Sequence, residues 1–209
     1  MMASDCPSCG APVSFKSSVT LLAVCPYCRS LLLRKDLDIE NLGKAAALMP
    51  DGSPMQLGAE GKYKGSPFAV IGRIQLRYPD GFWNEWHLNF IDGTYGWLGE
   101  AQGLYALSFL DKTASGLPAF ASLVVGAEVL LGSESFLVRD RREAEYVSGE
   151  GELPFRVPFG EKAAFADLSG PGTRFAAIDY SETPPLLFTG EYVPFDKLEL
   201  TGLKKVEGW

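Results

Sequence analysis

The sequence predicts a mostly β protein: an N-terminal zinc ribbon, a short linking helix, then two tandem pseudo-repeated units, each a small β-barrel or β-sandwich. Three observations predict it. All four cysteines stand as two C-x-x-C pairs within the first 28 residues. Glycine and proline, 23 and 14 of 209 residues, punctuate a chain that is 46 % hydrophobic, which suits many short strands and tight turns. A block of 25 residues recurs at a constant shift of 68. The expected boundaries are 1–35 for the ribbon, 36–54 for a helical linker, 55–120 for the first repeat and 121–209 for the second.

The ribbon comes first. Cys6 and Cys9 lie in CPSCG, and Cys25 and Cys28 in CPYCR, with fifteen residues between the pairs. Two residues between thiolates let one turn aim both sulfurs at a metal, and a β-hairpin between the knuckles brings the pairs together. Pro7 and Pro26 fix the turns, and Gly10 follows Cys9. The hairpin strands are expected at VSF (13–15) and LLAV (21–24). A structural Zn²⁺ on all four cysteines is the preferred reading. Two disulfides, or an iron or redox dithiol centre, are the alternatives. Four thiolates leave no open position for a catalytic water.

SLLLRKD follows as a basic, strand-like piece. The linker LDIENLGKAAALMP, Leu37 to Pro50, then shows helical features: Asp38 to cap, Ala45 to Ala47 as strong formers, and Pro50 as a stop. Gly43 weakens the run, and DGSP (51–54) reads as a loop.

The body carries the repeat. The shift superposes Gly58 on Gly126, Ala59 on Ala127, Glu60 on Glu128, Phe68 on Phe136, Val70 on Val138 and Tyr78 on Tyr146. It also places Trp97 on Phe165. Each unit suits a meander of four or five strands. In GFWNEWHLNF, Trp86, Leu88 and Phe90 alternate as a core face against Trp83, Glu85, His87 and Asn89. The Asp-Gly pairs at 80–81 and 92–93 mark hairpin turns. Ser169-Gly170-Pro171-Gly172 opens no helix and is expected to be a β-turn, and GEGE (149–152) a solvated loop.

The function classes narrow by exclusion. A net charge of −7 repels phosphate backbones, so nucleic-acid binding is not expected of the whole chain. The first 35 residues hold four cations against one carboxylate, a balance of +3, and leave −10 on the rest. The start MMASDC lacks the basic and apolar regions of a secretory leader, and no apolar run is long enough to span a bilayer, so the expected location is cytoplasmic. No G-x-S-x-G elbow, P-loop or histidine cluster is present, and no catalytic residue is assigned. His87 is the single histidine. Candidate binding residues are Trp83, Glu85, His87 and Trp97, with the GWLGEAQG turn (96–103) beside them.

As a set, the CPSCG…CPYC head, LDIENLGKAAALMPDGSPMQLGAEGKYKG, FAVIGRIQLRYPDGFWNEWHLNF, GWLGEAQG, EGELPF and ADLSGPGTRFAAIDYSETPPLLFTGE resemble the bacterial family called domain of unknown function 4178, in its zinc-ribbon-headed form. The resemblance covers nearly the whole chain. It implies a β-rich cytoplasmic protein with an accessory role in a membrane-associated stress system, and no functional residue beyond the four cysteines. Two readings follow. One is a zinc-binding adaptor in a membrane-stress system that contacts a protein partner, a membrane-bound one included, through exposed Trp83, Glu85 and His87. The other is an enzyme or ligand-binding protein with a site around Glu85 and His87 for a small polar or cationic metabolite.

Overall fold

The computed structural model describes residues 2–35 and 38–205. In the ribbon, β1 (Met2–Asp5) pairs with β2 (Pro12–Phe15), and β3 (Leu22–Val24), β4 (Ser30–Lys35) and β5 (Asp38–Lys44) form a second, antiparallel set. The first meander is β6 (Glu60–Tyr63), β7 (Ser66–Tyr78), β8 (Gly81–Phe90), β9 (Tyr95–Ala101) and β10 (Leu104–Leu110). The second is β11 (Glu128–Leu131), β12 (Glu134–Leu153), β13 (Lys162–Ser169), β14 (Arg174–Asp179) and β15 (Leu186–Tyr192).

The two meanders are one sheet. β7 to β10 run in order, β10 pairs with β15, β15 to β12 run back in order, and β12 pairs with β7. Those eight strands close into an antiparallel ring, so the repeats share a single barrel and do not form two separate ones. Both seams need bare backbone. A Cβ on Gly72 would overlap the carbonyl oxygen of Glu152, and one on Gly190 would overlap that of Leu107.

The repeat is visible atom by atom. Gly58 and Ala59 exchange hydrogen bonds with Val70 at 2.8 Å each, and Gly126 and Ala127 do the same with Val138 at 2.9 and 3.0 Å. Both long strands bulge at the matching place, between Val70 and Gly72 and between Val138 and Asp140. Beyond this the offset grows. Gly72 faces His87 while Asp140 faces Asp167, so the offset rises from 68 to 80. The extra residues continue β12 to Leu153 and form the loop before β13. Trp97, which pairs with His87, therefore corresponds to Ala177, which pairs with Asp167, and not to Phe165.

Alternation sorts the side chains. Trp86, Leu88 and Phe90 lie on the outer face with Phe68, Val70 and Leu107, under a cover from Met55 and Leu198. Phe136, Val138, Leu168 and Ile178 form the equivalent outer cluster of the second meander, covered by Leu123. Ile74, Leu76, Trp97, Ala144 and Tyr146 face inward and pack with Leu22 of the ribbon and Leu153.

Three local expectations are corrected. The helix over Leu37–Pro50 is not formed: Leu37 is outside the described residues, Asp38–Lys44 is β5, and residues 45–50 have no regular structure. Pairing with β4 overrides helix propensity, and Gly43 sits at φ +109°, where a helix cannot pass. The ribbon strands 13–15 and 22–24 do not pair with each other; they belong to different sheets. GEGE is no solvated loop, because residues 149–151 pair with β7 and 151–153 with β3.

Glu152 joins ribbon to barrel. Its carboxylate is buried and accepts hydrogen bonds from the amides of Lys16 (2.8 Å) and Ser17 (3.2 Å) and from the Thr20 hydroxyl (2.6 Å). Arg29 adds a second tie to Ser148 Oγ at 3.3 Å. Among the described residues no helix is long and apolar enough to cross a membrane. Glu152→Ala strips three donors of their acceptor, and we expect it to cost about 2–4 kcal/mol. Denaturant unfolding measures that loss, and hydrogen exchange should quicken first at residues 16–21.

Candidate metal centre and interior cavity

The four cysteine sulfurs gather at the ribbon tip, all within 4.8 Å of one another. The sequence folds that way because each C-x-x-C turn ends in a left-handed residue, Gly10 at φ +73° and Arg29 at φ +59°. The amides of those residues donate back to the carbonyls of Cys6 and Cys25 at 2.8 and 2.9 Å. Cys6 and Cys28 are 3.7 Å apart at sulfur, and Cys9 and Cys25 are 3.9 Å apart. A metal–sulfur bond of about 2.3 Å gives a tetrahedron with edges of about 3.8 Å. A disulfide needs about 2.05 Å. The geometry fits four thiolates around one metal ion. Ser30 Oγ lies 3.2 Å from Cys28 Sγ and can donate to that thiolate once it is ionised.

The second site is inside the barrel. A cavity of about 80 Å³ is lined by residues from all eight ring strands. It shares Trp83, Glu85, Phe165 and Ala177 with a vestibule of about 260 Å³ that runs to the β9–β10 turn. Space exists because one side of the wall is small: Gly99, Ala106, Ser108 and Ala177. The other side is aromatic. Trp83 meets Phe165 edge-on across the barrel, centroids 5.6 Å apart, and Phe165 also meets Tyr146 at 5.8 Å.

Glu85 and Asp179 line the cavity, and Glu85 and Asp167 line the vestibule together with Glu100 and Asp140. Glu85 accepts a hydrogen bond from Trp83 Nε1 at 2.9 Å, and it lies over Gly99, where a side chain would crowd it. Removal from bulk water raises its pKa to about 8, reinforced by the charges of Asp167 and Asp179. Burial likewise raises Asp167 to about 6, with Asp140 adding to the rise and Arg142 opposing it. Asp167 has no hydrogen-bond partner among the described residues. Asp179 is raised by burial too, although the Ser181 amide donates to it at 2.7 Å and the Tyr146 hydroxyl at 3.4 Å. Two cations line the vestibule: Arg142 is paired with Asp140 and lies 4.0 Å above the Tyr78 ring, and Arg139 donates to Ser169 Oγ at 2.6 Å.

The residues singled out from the sequence come together only in part. Trp83, Glu85 and Trp97 line the cavity. They are not on the outer surface expected of adaptor contacts, because the ring closes over that face of β8 and β9. The alternation itself was read correctly; both faces of the strand are covered. His87 is fully buried at the β7–β12 seam, stacked on Trp97 at 5.1 Å. Its Nδ1 is 2.8 Å from the Glu152 carbonyl, which can only accept, so Nδ1 carries the proton of the neutral ring. Burial lowers its pKa to about 4. Nε2 is buried without a partner among the described residues. The hydrogen bonds of His87 and Glu85 go elsewhere, to Glu152 and Trp83, and do not join them as an acid–base pair. Asp167 and Asp179 were missed. A charge alternating with Ala166, Leu168 and Ile178 has the pattern of a solvent-facing strand, and only closure turns that face inward.

The model of the domain of unknown function DUF4178 matches residues 56–195. The chain belongs to the DUF4178 family. The match takes in all eight ring strands and leaves the cysteine ribbon outside, so the cavity is a feature of the DUF4178 domain itself. No curated protein and no solved structure matches the chain significantly.

The interior carboxylates set the pH dependence of stability. Glu85 has a folded pKa of about 8 against an ordinary 4.5, so the folded state keeps a proton that the unfolded chain has released. Stability therefore falls as pH rises through that window. His87 acts oppositely, costing stability as pH falls from 6.5 toward 4. Glu85→Gln keeps an acceptor for Trp83 and removes the charge. Thermal melts should show it more stable than wild type above pH 8, by about 1–3 kcal/mol, and nearly equal below pH 4.5.

Proposed function

We propose that this DUF4178 chain is a small-molecule-binding protein whose ligand sits inside the β-barrel, and that its ribbon is a zinc-stapled structural head. The supporting observation is the interior: aromatic walls beside Glu85, Asp167 and Asp179, three carboxylates with no ion pair among the described residues. Eight-stranded barrels have just enough interior for their own side chains or for one small ligand. Here a run of small residues leaves room for a ligand. Carboxylates held out of water at a cavity cost stability, and that cost is a mark of a binding site.

Zinc is the metal that four clustered thiolates in tetrahedral spacing favour. The closed ligand set leaves no place for a metal-bound water, so the ion ties the two knuckles together and supplies no chemistry. A protein-contact role for the ribbon is the second reading, supported by Tyr27, 68 % exposed on the second knuckle. Tyr27→Ala should then weaken capture of a partner and leave thermal stability unchanged.

Two measurements test the main reading. Elemental analysis should find one zinc per chain, and Cys25→Ser should lose it together with several degrees of Tm. In thermal-shift screening against a metabolite panel, the wild type should gain Tm with at least one compound. Ala177→Leu, which fills the cavity, should fold and lose that response. An equal response in wild type and Ala177→Leu would contradict an interior site.

A further inference from the structure

Resting on that reading of the barrel interior, we infer that its ligand is an organic cation with a compact apolar body, its ammonium or amidinium group seated among Glu85, Asp167 and Asp179. Three features carry this. The acids come from three different strands, β8, β13 and β14; Glu85 lines both the cavity and the vestibule, Asp179 the cavity and Asp167 the vestibule. Trp83 and Phe165 stand beside them, and a cation is attracted to aromatic faces as well as to carboxylates. Asp167 lines the vestibule and has no hydrogen-bond partner among the described residues, while the two guanidinium groups of that lining are engaged elsewhere, Arg142 with Asp140 and Arg139 with Ser169. An anionic ligand would meet like charge, and a neutral apolar one would leave the acids unpaired.

Binding is coupled to protons. The groups facing Glu85 are Trp83 on its own strand, Asp167 on β13, Asp179 on β14 and Tyr146 on β12. The cavity it lines is completed by the uncharged Gly99, Ala106, Ser108, Ile74, Leu76 and Phe188, and the vestibule it lines adds the charged Glu100 on β9 and Arg139, Asp140 and Arg142 on β12. With no cation bound, Glu85 keeps its proton at neutral pH, with a pKa of about 8, whereas Asp167, at about 6, keeps its own only in mildly acid solution. A cation replaces those protons, so its affinity must rise as pH climbs from 6 to 8.

The test is a charge series of one shape: benzylamine, benzyl alcohol and benzoate, titrated calorimetrically into the full-length, metal-loaded protein. We expect benzylamine to bind at least about tenfold more tightly than benzyl alcohol, and benzoate not to bind. Its affinity should rise from pH 6 to 8, and Glu85→Gln should flatten the upper part of that rise while folding normally. Asp167→Asn should weaken benzylamine and spare benzyl alcohol. Equal binding of amine and alcohol would overturn the cation assignment and leave the interior-ligand reading standing. Silence from all three compounds would overturn the cation assignment as well, with the metabolite panel then deciding whether the interior binds anything. Benzylamine binding that survives Ala177→Leu would place the cation outside the barrel and overturn both.

Discussion

Everything in this molecule depends on two seams where bare backbone meets bare backbone. β7 reaches β12 through Gly72, and β10 reaches β15 past Gly190, each so near a carbonyl that a methyl group would not fit. With both seams made, four strands from each meander become one ring. With either open, the ring would be one curled open sheet with its aromatic inner face in water. The same β12 that closes the ring runs on to Leu153, pairs with β3 and carries Glu152 to the ribbon. Closure of the barrel and docking of the cysteine-bearing head are thus two ends of one strand.

Closure also creates the chemistry. On an open sheet Glu85 and Asp167 would be ordinary surface acids. Inside the ring they lose water and hold their protons, and Trp83 and Phe165 become the walls of their pocket. His87 occupies the position equivalent to Asp167 in the other repeat, yet it is spent on structure, donating to the Glu152 carbonyl at the seam. The pseudo-symmetric frame therefore holds an asymmetric interior. Trp97 stands where the other repeat has Ala177, and that loss of bulk is part of what keeps the cavity open.

Much of this was legible before any coordinates. The cysteine spacing picked out the four sulfurs that gather at the ribbon tip, and the shift of 68 located the paired starts of the two meanders down to the same hydrogen bonds. Alternation in GFWNEWHLNF separated Trp86, Leu88 and Phe90 from Trp83, Glu85 and His87. What sequence could not supply was which faces end up inside, since that is decided by strands far apart in the chain. Asp167 and Asp179 looked like solvent-facing charges for that reason. The segment Asp38–Lys44 failed differently: its helical signals are local, and they lost to pairing with β4. GEGE lost in the same way, to pairing on both sides of β12.

The central claim is that the barrel interior is a charged binding site and not a closed core. The most direct measurement is a carboxyl-carbon NMR titration of Glu85 and Asp167 in the free protein and with benzylamine bound. The account predicts that Glu85 titrates near pH 8 in the free protein and well below that with the amine bound. A Glu85 that titrates near its ordinary 4.5 in both samples would mean the carboxylate is solvated, and the claim would fall.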